Sequence, residues 1–168
     1  MSWETGSQIP RKNEYISNED LLKKKGFLEE REAKLLFYEF LRNNTTFATD
    51  LITGVQLFPF QHMAIKSMLE SDYFLGVWSR GMSKSYTTGI YAVLDAILNQ
   101  GVETGILSRS FRQSKMIFKK IEDIAAKPEA YLLKQCITHV SKSNDEWVME
   151  IGKSRIRALP LGDGEKLR

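Results

Sequence analysis

Residues 74–94 read FLGVWSRGMSKSYTTGIYAVL, and the order of their parts decides the fold class. An apolar run over residues 73–78 is short enough for a buried strand. A polar, small-residue loop follows, Ser79-Arg80-Gly81-Met82-Ser83, and then Lys84-Ser85. From Tyr86 to Leu98 the apolar residues Ile90, Tyr91, Val93, Leu94, Ile97 and Leu98 recur at helical spacing. Strand, loop, Lys-Ser and helix is the order that a phosphate-binding loop requires. Backbone N–H groups of the loop and the helix N-terminus point at phosphate oxygens, and the helix dipole favours the anion. The lysine adds a point charge at the β/γ-phosphates, and the serine hydroxyl can ligate magnesium. The expected ligands are ATP and Mg2+, held by Ser79, Arg80, Gly81, Met82, Ser83, Lys84, Ser85 and Tyr86, with Ser85 on the metal.

The generic pattern G-x-x-x-x-G-K-[ST] is met only in part. Trp78 and Ser83 stand where its glycines belong. Gly81 relaxes the loop, but Ser83 places a Cβ where the backbone comes closest to phosphate. The competing reading is an ordinary strand-to-helix turn in which Lys84 and Ser85 open an exposed helix.

Composition narrows the class. The chain has 168 residues, of which 42% are apolar and 27% charged, as in a soluble globular domain. A net charge of +3 is compatible with a nucleic-acid partner without demanding one. Two histidines and one cysteine argue against a dedicated zinc site, and Cys136 has no partner for an intrachain disulfide. No apolar run approaches the roughly 20 residues of a membrane span, and the polar N-terminus lacks the form of a signal peptide. An intracellular, soluble protein is expected.

Residues 1–16 are polar and read as a mobile arm, and residues 17–56 as a helical leader. Ser17 and Asp20 are spaced as a capping box, and a helical pattern runs to about Arg42, where Asn43-Asn44-Thr45-Thr46 ends it. Residues 49–58 read as an irregular connector. Pro59 is suited to a first helical turn and opens a helix over residues 60–71. Gly101 is a natural cap for the helix after the loop. Residues 104–108 form a short strand, Ser110 and Gln113 a capping box, and the next helix runs to about Ala126 with Met116, Ile117, Ile121 and Ile124 inward. A further helical turn or two is expected over residues 129–136. Residues 146–151 and 155–159 alternate with period two around Gly152-Lys153-Ser154, which signals a hairpin. Strands alternating with helices predict an α/β fold with a parallel core sheet and flanking helices.

Several segments together resemble the ATPase domain of the large terminase subunit of tailed phages, the motor that pumps DNA into empty capsids. That family carries the loop form [S/A]-R-x-x-G-K-[S/T], which Ser79-Arg80-Gly81-Met82-Ser83-Lys84-Ser85 fits at every position but Ser83. Phe58-Pro59-Phe60-Gln61 resembles its adenine-recognising glutamine motif, and residues 107–115 (LSRSFRQSK) its second-strand motif. Residues 158–168 resemble the loop that leads into its Walker B strand. The resemblance covers about residues 57–168, and it implies the N-terminal part of a P-loop NTPase-like ATPase domain. It further implies double-stranded DNA, a portal protein and a small terminase subunit as partners, a homo-oligomeric ring when complete, and action in the host cytoplasm at the procapsid portal. No apolar run ending in Asp-Glu is present, so the chain reads as truncated before Walker B and inactive alone, the general base lying beyond Arg168.

On this reading Lys84 holds phosphate charge, Arg80 senses the γ-phosphate, and Gln61 bonds the adenine edge. Arg109 and Arg112 follow a strand that ends near the nucleotide. They read as an arginine finger toward a neighbouring subunit's ATP, as contacts to the DNA backbone, or as surface residues. Two rivals remain. One is a superfamily-2-like helicase fragment. The other is a degenerate, non-hydrolysing P-loop module that binds DNA or a partner.

Overall fold

The computed structural model describes residues 30–161. The chain separates into two compact units, Met1–Phe37 and Tyr38–Arg168, with the division inside helix α1 (Glu30–Asn43). The expected arm and the Ser17/Asp20 capping box lie outside the described residues, as do residues 162–168.

The second unit is α/β. After α1 come α2 (Thr45–Thr53), α3 (Pro59–Glu70), α4 (Lys84–Leu98), β1 (Glu103–Ser108) and α5 (Phe111–Ala125). A 3-10 turn (Pro128–Ala130), α6 (Tyr131–Cys136), β2 (Ile137–Lys142), β3 (Trp147–Ile151) and β4 (Ser154–Pro160) follow. The four strands form one mixed sheet in the order β1-β4-β3-β2. Only β1 and β4 run parallel, with Glu103 opposite Arg155 and Ser108 opposite Pro160. The β2/β3 and β3/β4 pairs are antiparallel. The expected parallel core sheet is therefore corrected. Short connections force antiparallel neighbours, whereas a parallel pair needs a long crossover, and of the three hydrogen-bonded pairs only β1 and β4 are far enough apart in the chain.

The hairpin forms as expected. Gly152 adopts φ +59° in the two-residue turn between β3 and β4, a conformation that glycine reaches without steric cost. Alternation along β4 puts Ser154, Ile156 and Ala158 inside. α4 is buried nearly all round, and at Gly89 an added Cβ would lie 3.3 Å from Ile121 Cγ1, so α4 and α5 pack closely. Both helices reach β1 and β4. Ile90, Leu94, Leu98, Phe118, Ile121 and Ile156 make the centre of the core. Arg42 closes the far end of α4 by donating from Nε (3.1 Å) and Nη2 (2.5 Å) to the Leu98 carbonyl, where the helix dipole favours a cation.

The expected strand over residues 73–78 does not form. Tyr73, Leu75 and Val77 are 96%, 89% and 91% exposed, and the segment pairs with no strand among the described residues. An apolar run becomes a strand only through the neighbours it pairs with, and β1 pairs with β4 alone. The connector expected over residues 49–58 is helical in its first part. α2 buries Thr45, Thr49 and Thr53 at helical spacing, and two of their hydroxyls bond back to the carbonyl four residues earlier, at 2.8 and 2.7 Å. β2 is an additional strand, exposed along nearly all its length. Two caps also differ. Asn99 caps α4, with Gly101 at φ +91° beyond it. Ser110 makes no side-chain cap, because the Gln113 N–H bonds its backbone carbonyl instead, at 2.9 Å.

Candidate phosphate-binding site

The expected loop and helix are present where the expected strand is not. Residues 79–83 turn between an extended segment and α4, with the Met82 N–H donating to the Ser79 carbonyl at 3.4 Å. Ser83 caps α4 at φ +52°, ψ +29°, the one non-glycine residue at positive φ among the described residues. The position at which the generic pattern asks for glycine is thus one at which the backbone is left-handed. The Ser83 carbonyl accepts the N–H groups of Tyr86 and Thr87, both at 3.0 Å. The N–H groups of Lys84 and Ser85 have no acceptor among the described residues and remain available to an anion.

Substituting Ser83→Gly removes a left-handed strain of about 1–2 kcal/mol. It also adds unfolded-state freedom worth about 0.4–1 kcal/mol. The expected net result is a stabilisation of about 0.5 kcal/mol, read from the midpoint of urea unfolding. A destabilised variant would contradict the left-handed cap.

Gln61 fixes this turn from outside. Its Oε1 accepts the Phe58 N–H at 2.9 Å, and its Nε2 donates to Thr87 Oγ1 at 3.0 Å. Thr87 Oγ1 in turn donates to the Ser83 carbonyl at 3.2 Å. Gln61 is 4% exposed and does not line the cavity beside the loop. In this geometry Gln61 ties the start of α3 to the start of α4.

That cavity has a volume of about 750 Å³ and is lined by Trp78, Ser79–Tyr86 and Lys120. Arg80, Lys84 and Lys120 bring three cations to it, none paired with a carboxylate among the described residues, and no acidic residue lines it. The Ser85 hydroxyl has no partner among the described residues, and burial pushes the Tyr86 phenol up, so it stays a neutral hydrogen-bond donor. A triphosphate fits this charge distribution. For magnesium the lining offers the Ser85 hydroxyl; no cluster of three His, Cys, Asp or Glu that would hold a metal occurs among the described residues. No family model and no curated protein matches the chain.

Arg109 and Arg112 are exposed and do not line the cavity. The motif around them builds a junction instead. Ser108 Oγ lies 2.6 Å from Ser114 Oγ and donates to the Ser110 carbonyl at 2.7 Å, while Ser114 Oγ lies 2.8 Å from the Leu159 carbonyl. These contacts pin the end of β1 to the start of α5 and the end of β4. Lys120 was not legible as a site residue, since nothing in the sequence sets it apart from its neighbour Lys119. A second cavity of about 700 Å³ lies between residues 43–57 and α3, lined in part by His62, whose buried Nδ1 has no hydrogen-bond partner among the described residues.

Proposed function

We propose that the chain is the ATP-binding part of a viral DNA-packaging motor of the large-terminase kind, with a P-loop NTPase-like site, coupling ATP hydrolysis to translocation of double-stranded DNA into a capsid. One observation carries the nucleotide half of this reading. Arg80, Lys84 and Lys120, none paired with a carboxylate among the described residues, converge on a cavity at the start of a 15-residue helix. Free backbone N–H groups, a helix dipole and three cations together form a polyphosphate site. The motor half rests on the resemblance of residues 58–61, 79–85 and 107–115. With it come a ring assembly, a portal and small-subunit partner, and action at the procapsid portal in the host cytoplasm.

On this reading Lys84 neutralises β/γ-phosphate charge, Ser85 ligates magnesium, Arg80 approaches the γ-phosphate, and Lys120 adds a second cation from α5. Among the described residues the cavity lining supplies no base to orient water. That favours a second reading, a module that binds nucleotide without hydrolysing it. Turnover by the 168-residue chain would decide against that module.

The test is a calorimetric titration of the full chain with ATP, with and without magnesium. Wild type binds, and Lys84→Ala weakens binding about 10- to 100-fold, the worth of a charged hydrogen bond of about 1.5–3 kcal/mol. No ATP affinity in the wild type, or equal affinity in the variant, would sink the proposal.

A further inference from the structure

Away from the nucleotide cavity, three lysines gather on one aromatic ring. Lys142 Nζ lies 4.7 Å, Lys115 Nζ 5.0 Å and Lys119 Nζ 5.9 Å from the centre of the half-buried Trp147 ring. Lys115 also sits 3.9 Å over the Phe111 ring. Glu122 pairs with Lys142 at 2.7 Å, but Lys115 and Lys119 have no carboxylate partner among the described residues. The underside of Trp147 is fixed to the core by an edge contact with Phe118, ring centres 5.6 Å apart.

A fold gains little from this convergence. Solvated lysines repel one another, and each exposed cation–π contact returns only about 0.5–1 kcal/mol. An anion placed over the cluster removes the repulsion. The layout also suits a chain of anions better than a single one. Lys115 and Lys119 follow one face of α5 at i and i+4, about 6 Å apart at 1.5 Å per residue, and Lys142 joins them from β2. A cluster of that extent reaches more than one phosphate of a DNA strand. Because ammonium groups already cover Trp147, the ring offers no open face for stacking a base, so contact runs through the backbone.

We infer that the α5–β2 surface around Trp147 is a sequence-independent binding site for the phosphate backbone of duplex DNA, with Lys115, Lys119 and Lys142 as its contacts. The choice of duplex rests on the motor reading above; the cation geometry does not.

The experiment is a fluorescence-anisotropy titration of the full chain with a random-sequence duplex across a salt series. Each phosphate contact contributes about 0.9 to the slope of log K against log salt. Replacing all three lysines by glutamine lowers that slope by roughly 2–3, a term worth about 40-fold in affinity between about 50 and 200 mM salt. Replacing them by arginine preserves the slope. Should the triple glutamine variant lose its fold by circular dichroism, Lys115→Gln alone lowers the slope by about 0.9. An unchanged slope in the folded glutamine variant, or a wild-type chain with no affinity for duplex, overturns the inference. ATP titrated into the same proteins separates the two proposals. Duplex binding without ATP binding leaves this surface standing and removes the nucleotide site, and ATP binding without duplex binding does the reverse.

Discussion

A Phe118→Ala chain unfolds with about 3–5 kcal/mol less stability than the wild type, the range for emptying an aromatic site in a packed core. Phe118 is fully buried and leads the large buried side chains by volume. It projects from the middle of α5, and its ring meets Trp147 on β3 edge-on at 76°. Truncation leaves a cavity and removes an aromatic pair worth about 0.5–1.5 kcal/mol beyond its buried area. Small domains are stable by only about 5–15 kcal/mol, so the loss is a large share of the total. The functional cost follows from the same helix. α5 carries Lys120 to the cavity beside residues 79–86 and Lys115 and Lys119 to Trp147. A urea titration followed by circular dichroism measures the effect as a lower midpoint at unchanged slope. A loss under about 1 kcal/mol would mean that α5 is not packed on β3 through Phe118.

Gly54→Ala loses about 2 kcal/mol or more, with a fall in melting temperature of about 5 °C or more for a chain of this size. Gly54 ends α2 in the left-handed region at φ +62°, donating its N–H to the Asp50 carbonyl at 2.8 Å. An added Cβ would collide with Glu129 Cβ and stand 2.8 Å from the Glu129 carbonyl oxygen. Backbone cannot swing aside as a side-chain tip can, so the strain of the φ angle and the clash add. Gly81→Ala is the control. Its φ is +89°, but nothing lies within 4 Å of the added Cβ, so only the strain of about 1–2 kcal/mol applies. Equal losses at the two positions would refute the close approach of α2 to the 3-10 turn.

The elements legible in the sequence are those whose pattern is local. α4 and α5 announce themselves by apolar residues at helical spacing, α3 by Pro59 in its first turn, and the β3–β4 hairpin by alternation around Gly152. Others were hidden for physical reasons. α2 is rich in threonine, a weak helix former, and its buried hydroxyls are satisfied only once the helix returns its own carbonyls to them. β2 is an exposed edge strand with little apolar alternation. Residues 73–78 carry the composition of a buried strand, yet pairing requires neighbours that no local pattern supplies.

The candidate site divides in the same way. Residues 79–85 announce a loop feeding a helix, and they place Arg80, Lys84 and Ser85 together because they are adjacent in the chain. The left-handed backbone at Ser83 follows from how that loop enters α4. Tertiary structure alone brings Lys120 to the loop across 36 positions from Lys84, puts Gln61 under the loop as a strut, and leaves Arg109 and Arg112 outside the cavity. It also gathers Lys115, Lys119 and Lys142 on Trp147. Helical spacing fixes which residues of α5 share a face; which face meets the cavity and which meets β3 is set by the burial of Phe118, Ile121 and Ile124 against the sheet and α4.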